Sequence, residues 1–148
     1  MKLTDALLGE HGAFYVLFDQ IERIAAIEGP LAQIRGATTV LGAMVDSHAT
    51  LEDELLFSAL EPHLGTGDGP LAVMRAEHQE MARLLEQIED AADADQIILW
   101  VEQALSAARG HFQKEEQILF PMAQGLLGDA ALIRLGRAWA EARRVTIR

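Results

Sequence analysis

Apolar residues recur along this chain at alternating spacings of three and four, which is the pattern of helices that bury one face in a bundle. Four such stripes lie between clear breaks, and no segment shows the sustained alternation of a half-buried strand. The predicted inward positions are His11, Phe14, Phe18, Ile21 and Ala25; Ile34, Ala37, Leu41, Met44, His48, Leu51 or Glu52, and Leu55; Leu71, Met74, His78, Met81, Leu85 and Ile88; and Ile97, Val101, Ala104, Ala108, His111, Glu115, Ile118 and Met122.

The breaks between the stripes are short and contain residues that end helices. They lie at Gly29-Pro30, at 62–70, at 90–95 and at 125–129. Short connections make neighbouring helices antiparallel. The pattern therefore predicts one all-α domain over 1–148: an up-down-up-down antiparallel four-helix bundle at about 5–124 and a short fifth helix at about 129–144. The fifth helix is expected to turn Leu132, Leu135 and Trp139 inward.

Composition limits the chemistry of any site. The chain has 148 residues, five histidines and no cysteine, so a metal site must use His, Asp and Glu. The net charge of −11 argues against a nucleic-acid partner. No apolar run reaches the roughly 20 residues that span a bilayer, and the N-terminus lacks signal-peptide features. We therefore expect a cytoplasmic protein that does not enter a membrane.

The C-terminal stretch has the opposite charge balance. Residues 130–148 contain five arginines and one acid, whereas the rest of the chain holds the negative excess. This basic segment is expected to lie across the acidic bundle; a separate binding tail is the less favoured alternative.

Four of the five histidines lie within the apolar stripes, one on each predicted long helix. His48 and His111 are each followed four residues later by a glutamate, Glu52 and Glu115. Residues four apart are neighbours on a helix face, so each pair directs an imidazole and a carboxylate to one place. A buried carboxylate needs a cationic partner, and no Lys or Arg lies in the stripes. Imidazole and carboxylate suit iron, and also manganese or zinc, so a metal site is predicted.

The motif H-x3-E-[DE]-x-[LI]-L-F occurs twice, over 48–57 and 111–120. Each copy follows a helix with one inward histidine that is preceded by glutamate. Two such halves, packed face to face, predict a pseudo-twofold site with two metals, two histidines for each metal and two glutamates between them. The histidines of the preceding helices, with their glutamates, are Glu10-His11 and Glu77-His78.

A single core histidine is more often structural than a ligand, but four at one level, two of them with a glutamate, favour a metal site. Glu115 is preferred to Glu116 as the fourth-helix ligand, because a position five residues on turns away from His111. Glu116, like Asp53 and Glu54, is then a solvated or outer group.

Other residues are expected outside the ligand set. Tyr15 lies four residues after His11 and is close enough in sequence to reach the site, although packing or hydrogen bonding is the preferred role. His63 follows Pro62 at a helix end and is expected at the surface. The methionines expected in the core are Met44, Met74 and Met81.

The segment from His111 to Pro121 resembles the most recognisable part of hemerythrin-like domains of the HHE cation-binding type, and the resemblance extends over about 7–122. It implies a non-haem diiron centre inside a four-helix bundle, with two bridging carboxylates and a possible oxo or hydroxo bridge; zinc or manganese would be substitutes. By this resemblance Glu52 and Glu115 are the bridges. The terminal ligands implied are His11, His48, His78 and His111.

The sequence departs from the oxygen-carrying hemerythrins, which use five histidines, two of them four residues apart on the third helix. The residues at that spacing from His78 are Met74 and Ala82, neither of which replaces an imidazole. The fourth-helix carboxylate is Glu at i+4, where oxygen carriers have Asp at i+5. Six protein ligands leave more positions for exogenous ligands, so the resemblance is to sensor, iron-handling and redox-reactive members.

Three functions compete on this basis. The first is a diiron protein that binds or reacts with O2, peroxide or NO, and whether it is an enzyme stays open. The second is an iron- or oxygen-responsive module that is read by a protein partner; a homo-oligomer is equally undetermined. The third is iron storage or delivery without catalysis. Resemblance to the family's iron–sulfur repair members is limited, because their cysteine-containing segment is absent from this sequence.

Overall fold

A computed structural model describes residues 1–27 and 29–147, and the helices in these ranges are joined by short connections without a strand. Two of the helices continue into π-helical turns, here named π1 and π2. The elements are α1 (Leu3–Ala26), α2 (Leu31–Leu51), π1 (Glu52–Phe57), α3 (Ser58–Leu64), α4 (Pro70–Asp90), α5 (Ala94–Lys114), π2 (Glu115–Leu119) and α6 (Phe120–Arg143).

The helices form the predicted all-α bundle. Helix α1 packs against α2, and α4 packs against α5, so the chain forms two helical hairpins. The hairpins meet where α2 contacts α4 and where α1 contacts α5. Pro70 starts α4 at a first-turn position, where proline costs no hydrogen bond, and the Asp93 side chain caps α5 by accepting from the backbone N–H of Gln96. The prediction of an all-α four-helix bundle is confirmed.

The C-terminal part of the chain consists of two helices that meet at a kink, and the kink lies within the break predicted from the sequence. Helix α6 begins at Phe120 and continues to Arg143, but the backbone at Gly128 is not helical, with φ 72° and ψ 169°. Glycine has no Cβ and takes this positive φ without steric strain. The break predicted over 125–129 is therefore confined to one residue, beyond which the chain folds back along α1.

The π turns shift which residues face inward. A π turn contains an extra residue, so an inward stripe that enters it continues one position later. After Glu115 the buried position is Leu119 and not Ile118, which is 58% exposed. After Glu52 the buried position is Leu56, and the expected Leu55 is only partly buried. The expectation for Ile118 was wrong for this reason.

One methionine also differs from expectation. Met44 is exposed, and the adjacent Val45 takes the core position in α2, whereas Met74 and Met81 are buried as predicted. In α6, Leu132 is buried, and Leu135 and Trp139 are partly buried.

The buried apolar residues form two clusters, one at each end of the bundle. One contains Phe14 and Val45, and the other contains Leu7 and Leu56. His11 lies between Leu7 and Phe14 along α1, and the other three inward histidines occupy the corresponding level of their helices. The polar site therefore lies where the two apolar clusters meet.

Candidate metal centre

The six predicted ligands converge at this level. All of them are buried, and both glutamates are fully buried, with 0% exposure. Two groups of side chains bring ligand atoms close enough to share an ion: Glu52, His78, His111 and Glu115 form one, and His11, His48 and Glu115 form the other. The assignment of these six residues as ligands stays a prediction, but the structure brings them together.

The two glutamates lie between the two groups. Glu115 Oε1 is 2.9 Å from Nε2 of His111, and its Oε2 is 3.3 Å from Nε2 of His11. Glu52 Oε2 lies 3.7 Å from Nε2 of His48 and 3.4 Å from Nε2 of His78. Each carboxylate thus faces one histidine of each hairpin, which is the position of a bridging ligand.

The π turns place these carboxylates. Glu52 is the first residue of π1 and Glu115 is the first residue of π2, so the wider turn starts at the glutamate in both halves. π-helical turns are rare and are found mainly at functional sites. The repeated motif continues into the turn, and its last residue packs on a histidine of the other hairpin. Phe57 stacks on His78, and Phe120 stacks on His11.

Carboxylates outside the cluster orient three of the four imidazoles. His48 Nδ1 donates to Glu10 Oε2 over 2.6 Å, and His111 Nδ1 donates to Glu77 Oε2 over 2.9 Å. Because Nδ1 donates, the neutral ring presents its Nε2 lone pair to the centre, as metal-binding histidines do. The glutamate that precedes one histidine of a hairpin therefore holds the other histidine of the same hairpin.

The residue after each of the two central glutamates, Glu52 and Glu115, faces the opposite hairpin. Glu116 Oε1 accepts from Nδ1 of His11 over 2.8 Å, and the hydroxyl of Tyr15 donates to the same oxygen over 2.8 Å. Glu116 and Tyr15 thus lie outside the ligand cluster, in the roles considered from the sequence, whereas Glu115 lies inside it. Asp53 is the equivalent of Glu116 but is one methylene shorter, and its Oδ1 remains 3.9 Å from Nδ1 of His78.

Helix α6 extends the network beyond the bundle. Trp139 Nε1 and Arg143 Nε both donate to Oε1 of Glu10, over 2.9 and 2.6 Å. Burial alone would raise the pKa of Glu10, but the hydrogen bonds from His48 and Arg143 outweigh burial and lower this pKa to about 2. The basic C-terminal segment therefore contacts the acidic bundle at the carboxylate that orients His48.

Sequence reasoning singled out neither Glu10 nor Glu77 as functional. The available signal was the glutamate directly before His11 and before His78. Its role depends on the relative rotation of the paired helices, which the one-dimensional pattern does not contain. His63 is exposed, as expected.

The pKa shifts of the central side chains show that the cluster is short of positive charge. Burial and the adjacent charge of Glu115 raise the pKa of Glu52 well above its ordinary value. Burial lowers the pKa of His78 to about 4, with the charge of His111 acting in the same direction. For His111 burial also lowers the pKa, but Glu115 and Glu77 outweigh it and raise the pKa. Burial alone would raise the pKa of Glu115, but the neighbouring His11 and His111 outweigh it and lower this pKa, whereas Glu52 has no cationic partner among the described residues.

The unpaired atoms fit metal ions. Among buried side-chain atoms of the described residues, both carboxylate oxygens of Glu52 and of Glu115 lack a hydrogen-bond partner, as do both ring nitrogens of His78 and Nε2 of His111. Nε2 of His11 and Nε2 of His48 lie 3.3 Å apart. Buried acceptors that face one another in this way are costly unless a cation lies between them. Nitrogen and oxygen ligands in these numbers suit iron, manganese or zinc.

The fold and the site together define a class of protein: a helical bundle with a histidine and carboxylate metal site at its centre. The model of the hemerythrin HHE cation-binding domain matches residues 2–123. The chain therefore belongs to the hemerythrin HHE cation-binding domain family, as the resemblance of its motifs implied.

A relative with a curated name is the iron-sulfur cluster repair protein YtfE of Enterobacter sp. (strain 638), which is 26% identical over 117 residues. The match covers 70% of this chain and 53% of the relative, so the chain spans about half the length of that protein. Its name is that of an iron–sulfur repair protein, the group to which only a limited resemblance was expected because this sequence has no cysteine. No solved structure matches the chain.

One stretch bears on the membrane prediction. Within Ala94–Arg143, an 18-residue window has a mean hydropathy of 1.3, and 22% of it is buried. A single such stretch is weak evidence for membrane insertion, and the backbone break at Gly128 interrupts the helix in this part of the chain. The absence of a membrane and the cytoplasmic location stay predictions.

Proposed function

We propose that this chain holds two iron ions in a carboxylate-bridged centre, and that the centre binds or reacts with a small ligand such as O2, peroxide or NO. The observation that carries the proposal is the convergence of unpaired carboxylate oxygens and ring nitrogens at the buried meeting point of the two hairpins. The proposed ligands of one ion are His11 and His48, those of the other are His78 and His111, and Glu52 and Glu115 bridge them.

Iron is the proposed metal for two reasons. The ligand set contains imidazole and carboxylate without thiolate, which non-haem iron accepts readily. The relative's printed name also refers to iron–sulfur clusters. Zinc and manganese accept the same donor atoms and are the alternatives that metal analysis must distinguish.

The chain's own residues supply position, charge and an apolar surrounding. Glu10, Glu77 and Glu116 fix three imidazoles, and the two apolar clusters enclose the centre on both sides. A bound iron pair supplies Lewis acidity and electrons. Six protein ligands leave coordination positions for an exogenous small molecule.

Metal analysis and optical spectroscopy test this function. Protein reconstituted with iron should contain two iron ions per chain, and its visible spectrum should change on addition of O2, peroxide or NO. A reproducible content of one ion or fewer, with all six ligands intact, would contradict the dinuclear centre. Rapid turnover of peroxide or NO would identify an enzyme, and a stable adduct would identify a binding protein.

A sensor is the second candidate, and the network on α6 favours it. Arg143 and Trp139 contact Glu10, which in turn contacts His48. A change of ligand or charge at the centre therefore has a hydrogen-bonded path to the C-terminal helix, where a protein partner could detect it. Hydrogen exchange of α6 in the reduced and oxidised states tests this candidate, and identical protection in both states would contradict it.

The relative's name refers to the repair of iron–sulfur clusters. The described residues contain no thiolate that could hold a cluster, and the sequence contains no cysteine.

A further inference from the structure

A pocket of about 450 Å³ lies between α2 and α4 and reaches the metal centre at His78. Its lining includes Ala49 of α2 and Ala82 of α4. His78 is 8% exposed, whereas the other three inward histidines are at most 1% exposed. The centre therefore comes closest to solvent at His78, on the face between α2 and α4.

The equivalent face on the other side of the pseudo-twofold site lies between α1 and α5. It is closed by the aromatic rings of Tyr15 and Phe112. When His11 is aligned with His78 along the sequence, Tyr15 takes the position of Ala82; when His111 is aligned with His48, Phe112 takes the position of Ala49. The rings of Tyr15 and Phe112 meet edge to face, with centroids 6.1 Å apart.

Phe112 also covers the centre directly. Its ring stacks on that of His11 with a centroid distance of 4.0 Å, and it is fully buried. The face between α1 and α5 thus has two large side chains where the face between α2 and α4 has two methyl groups. The repeat that builds the symmetrical ligand set therefore contains an asymmetry that leaves one side open.

The outer carboxylates have the same asymmetry. Glu116 reaches His11, but the shorter Asp53 does not reach His78, so neither ring nitrogen of His78 has a hydrogen-bond partner. Nε2 of His78 is a proposed metal ligand, but the buried Nδ1 has no partner of its own, so an unpaired polar atom lies beside the pocket.

We propose that small exogenous ligands enter through the pocket between α2 and α4 and bind on the side of the centre held by His78 and His111. This inference rests on the proposed dinuclear centre and adds the entrance and the ligand class. The rim includes Asp46, Glu86 and Glu89, and a negative rim repels anions while leaving neutral molecules unaffected. The entrance therefore favours neutral diatomic molecules such as NO and O2 over anions such as azide.

Filling the pocket tests the entrance. Ala82→Phe and Ala49→Phe place on this face the bulk that Tyr15 and Phe112 provide on the other. The association rate of NO with the reduced, iron-loaded protein, measured by stopped flow, should fall by about tenfold or more in each variant. Iron content and the spectrum without NO should stay unchanged. The matched control is Ala76→Phe, at an exposed position of α4 outside the pocket.

Ala82 is itself exposed, so a larger side chain there has room without compressing the core, and thermal melts would verify that each variant is folded. NO association at the control rate in both folded pocket variants would overturn the proposed entrance while leaving the dinuclear centre intact. If iron-loaded wild-type protein bound no NO at all, the small-ligand function and the entrance would both fail.

Neutralising the rim tests the ligand class. Glu86→Gln together with Glu89→Gln should accelerate azide association with the oxidised protein and leave the rate for NO unchanged. The acceleration should disappear at high salt, where screening already removes the repulsion. An unchanged azide rate at low salt would contradict the role of the rim charges.

Discussion

Glu10 of α1 and His48 of α2 are joined by a 2.6 Å hydrogen bond, in which Nδ1 of the histidine donates to Oε2 of the carboxylate. Arg143 and Trp139 of α6 hold the other oxygen of Glu10. The orientation of a proposed metal ligand thus depends on a residue more than ninety positions later in the chain. Carboxylates in this role fix the tautomer of the histidine and increase its basicity.

We therefore expect Glu10→Ala to weaken metal binding by about 10- to 100-fold, as measured by competition with a chelator. Arg143→Ala should weaken it less, because Glu10 remains next to His48. Glu54→Ala is the control, since Glu54 is exposed on the outside of π1. Wild-type affinity in the Glu10 variant would show that the outer carboxylate does not tune the centre.

The bridging assignment makes a separate prediction. Glu52→Ala and Glu115→Ala should each disturb both metals, because each carboxylate faces a histidine of both hairpins. Metal content after extensive dialysis should fall below one ion per chain in either variant, whereas the exposed His63→Ala control retains two. Two metals bound with wild-type affinity after either glutamate substitution would mean that the glutamate is not a bridge.

Metal removal should destabilise the protein. Ions that bind the folded state alone stabilise it by mass action, about 4 kcal/mol at a free concentration a thousandfold above the dissociation constant. Thermal melts of metal-free and metal-loaded protein at the same pH measure the difference. Equal midpoints would mean that the metals do not bind at the buried cluster.

The change Glu52→Gln should have opposite effects in the two forms. In the metal-free protein, burial and Glu115 raise the pKa of Glu52, so the folded state disfavours the ionised side chain. This cost is absent below the ordinary pKa of 4.5 and grows as the pH rises towards the elevated folded value. Glutamine avoids the cost, so at pH 7 the variant should be more stable than wild type without metal, by about 1 to 3 kcal/mol.

With metal bound, the same substitution removes a bridging charge, and the variant should be less stable than wild type. Denaturant unfolding of both proteins in both forms, at pH 5 and pH 7, provides the comparison. If Glu52→Gln destabilised the metal-free protein at pH 7, the carboxylate would have a cationic partner that the structure does not show.

The sequence predicted the histidines well because each occupies an inward position of a regular α-helix. His11, His48, His78 and His111 are all at most 8% exposed, and the spacing rule for α-helices applies up to Glu52 and Glu115. Beyond the glutamates the rule fails. The α-helical period predicted Ile118 as buried, but π2 moves the inward position to Leu119. Hydrophobic spacing does not reveal a π turn, because the turn adds one residue without interrupting the helix.

The outer network was less accessible from the sequence. The repeated motif already contained Glu116 and Asp53 at equivalent positions, but a difference of one methylene decides that the first contacts its histidine and the second does not. Likewise, the sequence showed that Ala82 lies four residues after His78. It did not show that Tyr15, the equivalent residue after His11, closes the face between α1 and α5. Such differences depend on side-chain reach in three dimensions.

Finally, we expect that this protein is not an efficient reversible oxygen carrier. A carrier binds O2 at one open position and releases it unchanged, which requires the other positions to be filled so that water cannot enter. Here Met74 and Ala82 provide no nitrogen ligand beside His78, and Ala82 lines the pocket that also contains His78 in its lining.

Tyr15 does not compensate for the missing ligand. Its hydroxyl donates to Glu116, and burial together with that carboxylate raises the pKa of Tyr15 to about 12, so the phenol stays protonated at neutral pH. The reduced iron-loaded protein should therefore oxidise irreversibly within a few cycles of oxygenation and deoxygenation, followed by its visible spectrum. Full recovery of the reduced state over many cycles without added reductant would contradict this prediction and would identify the protein as an oxygen carrier.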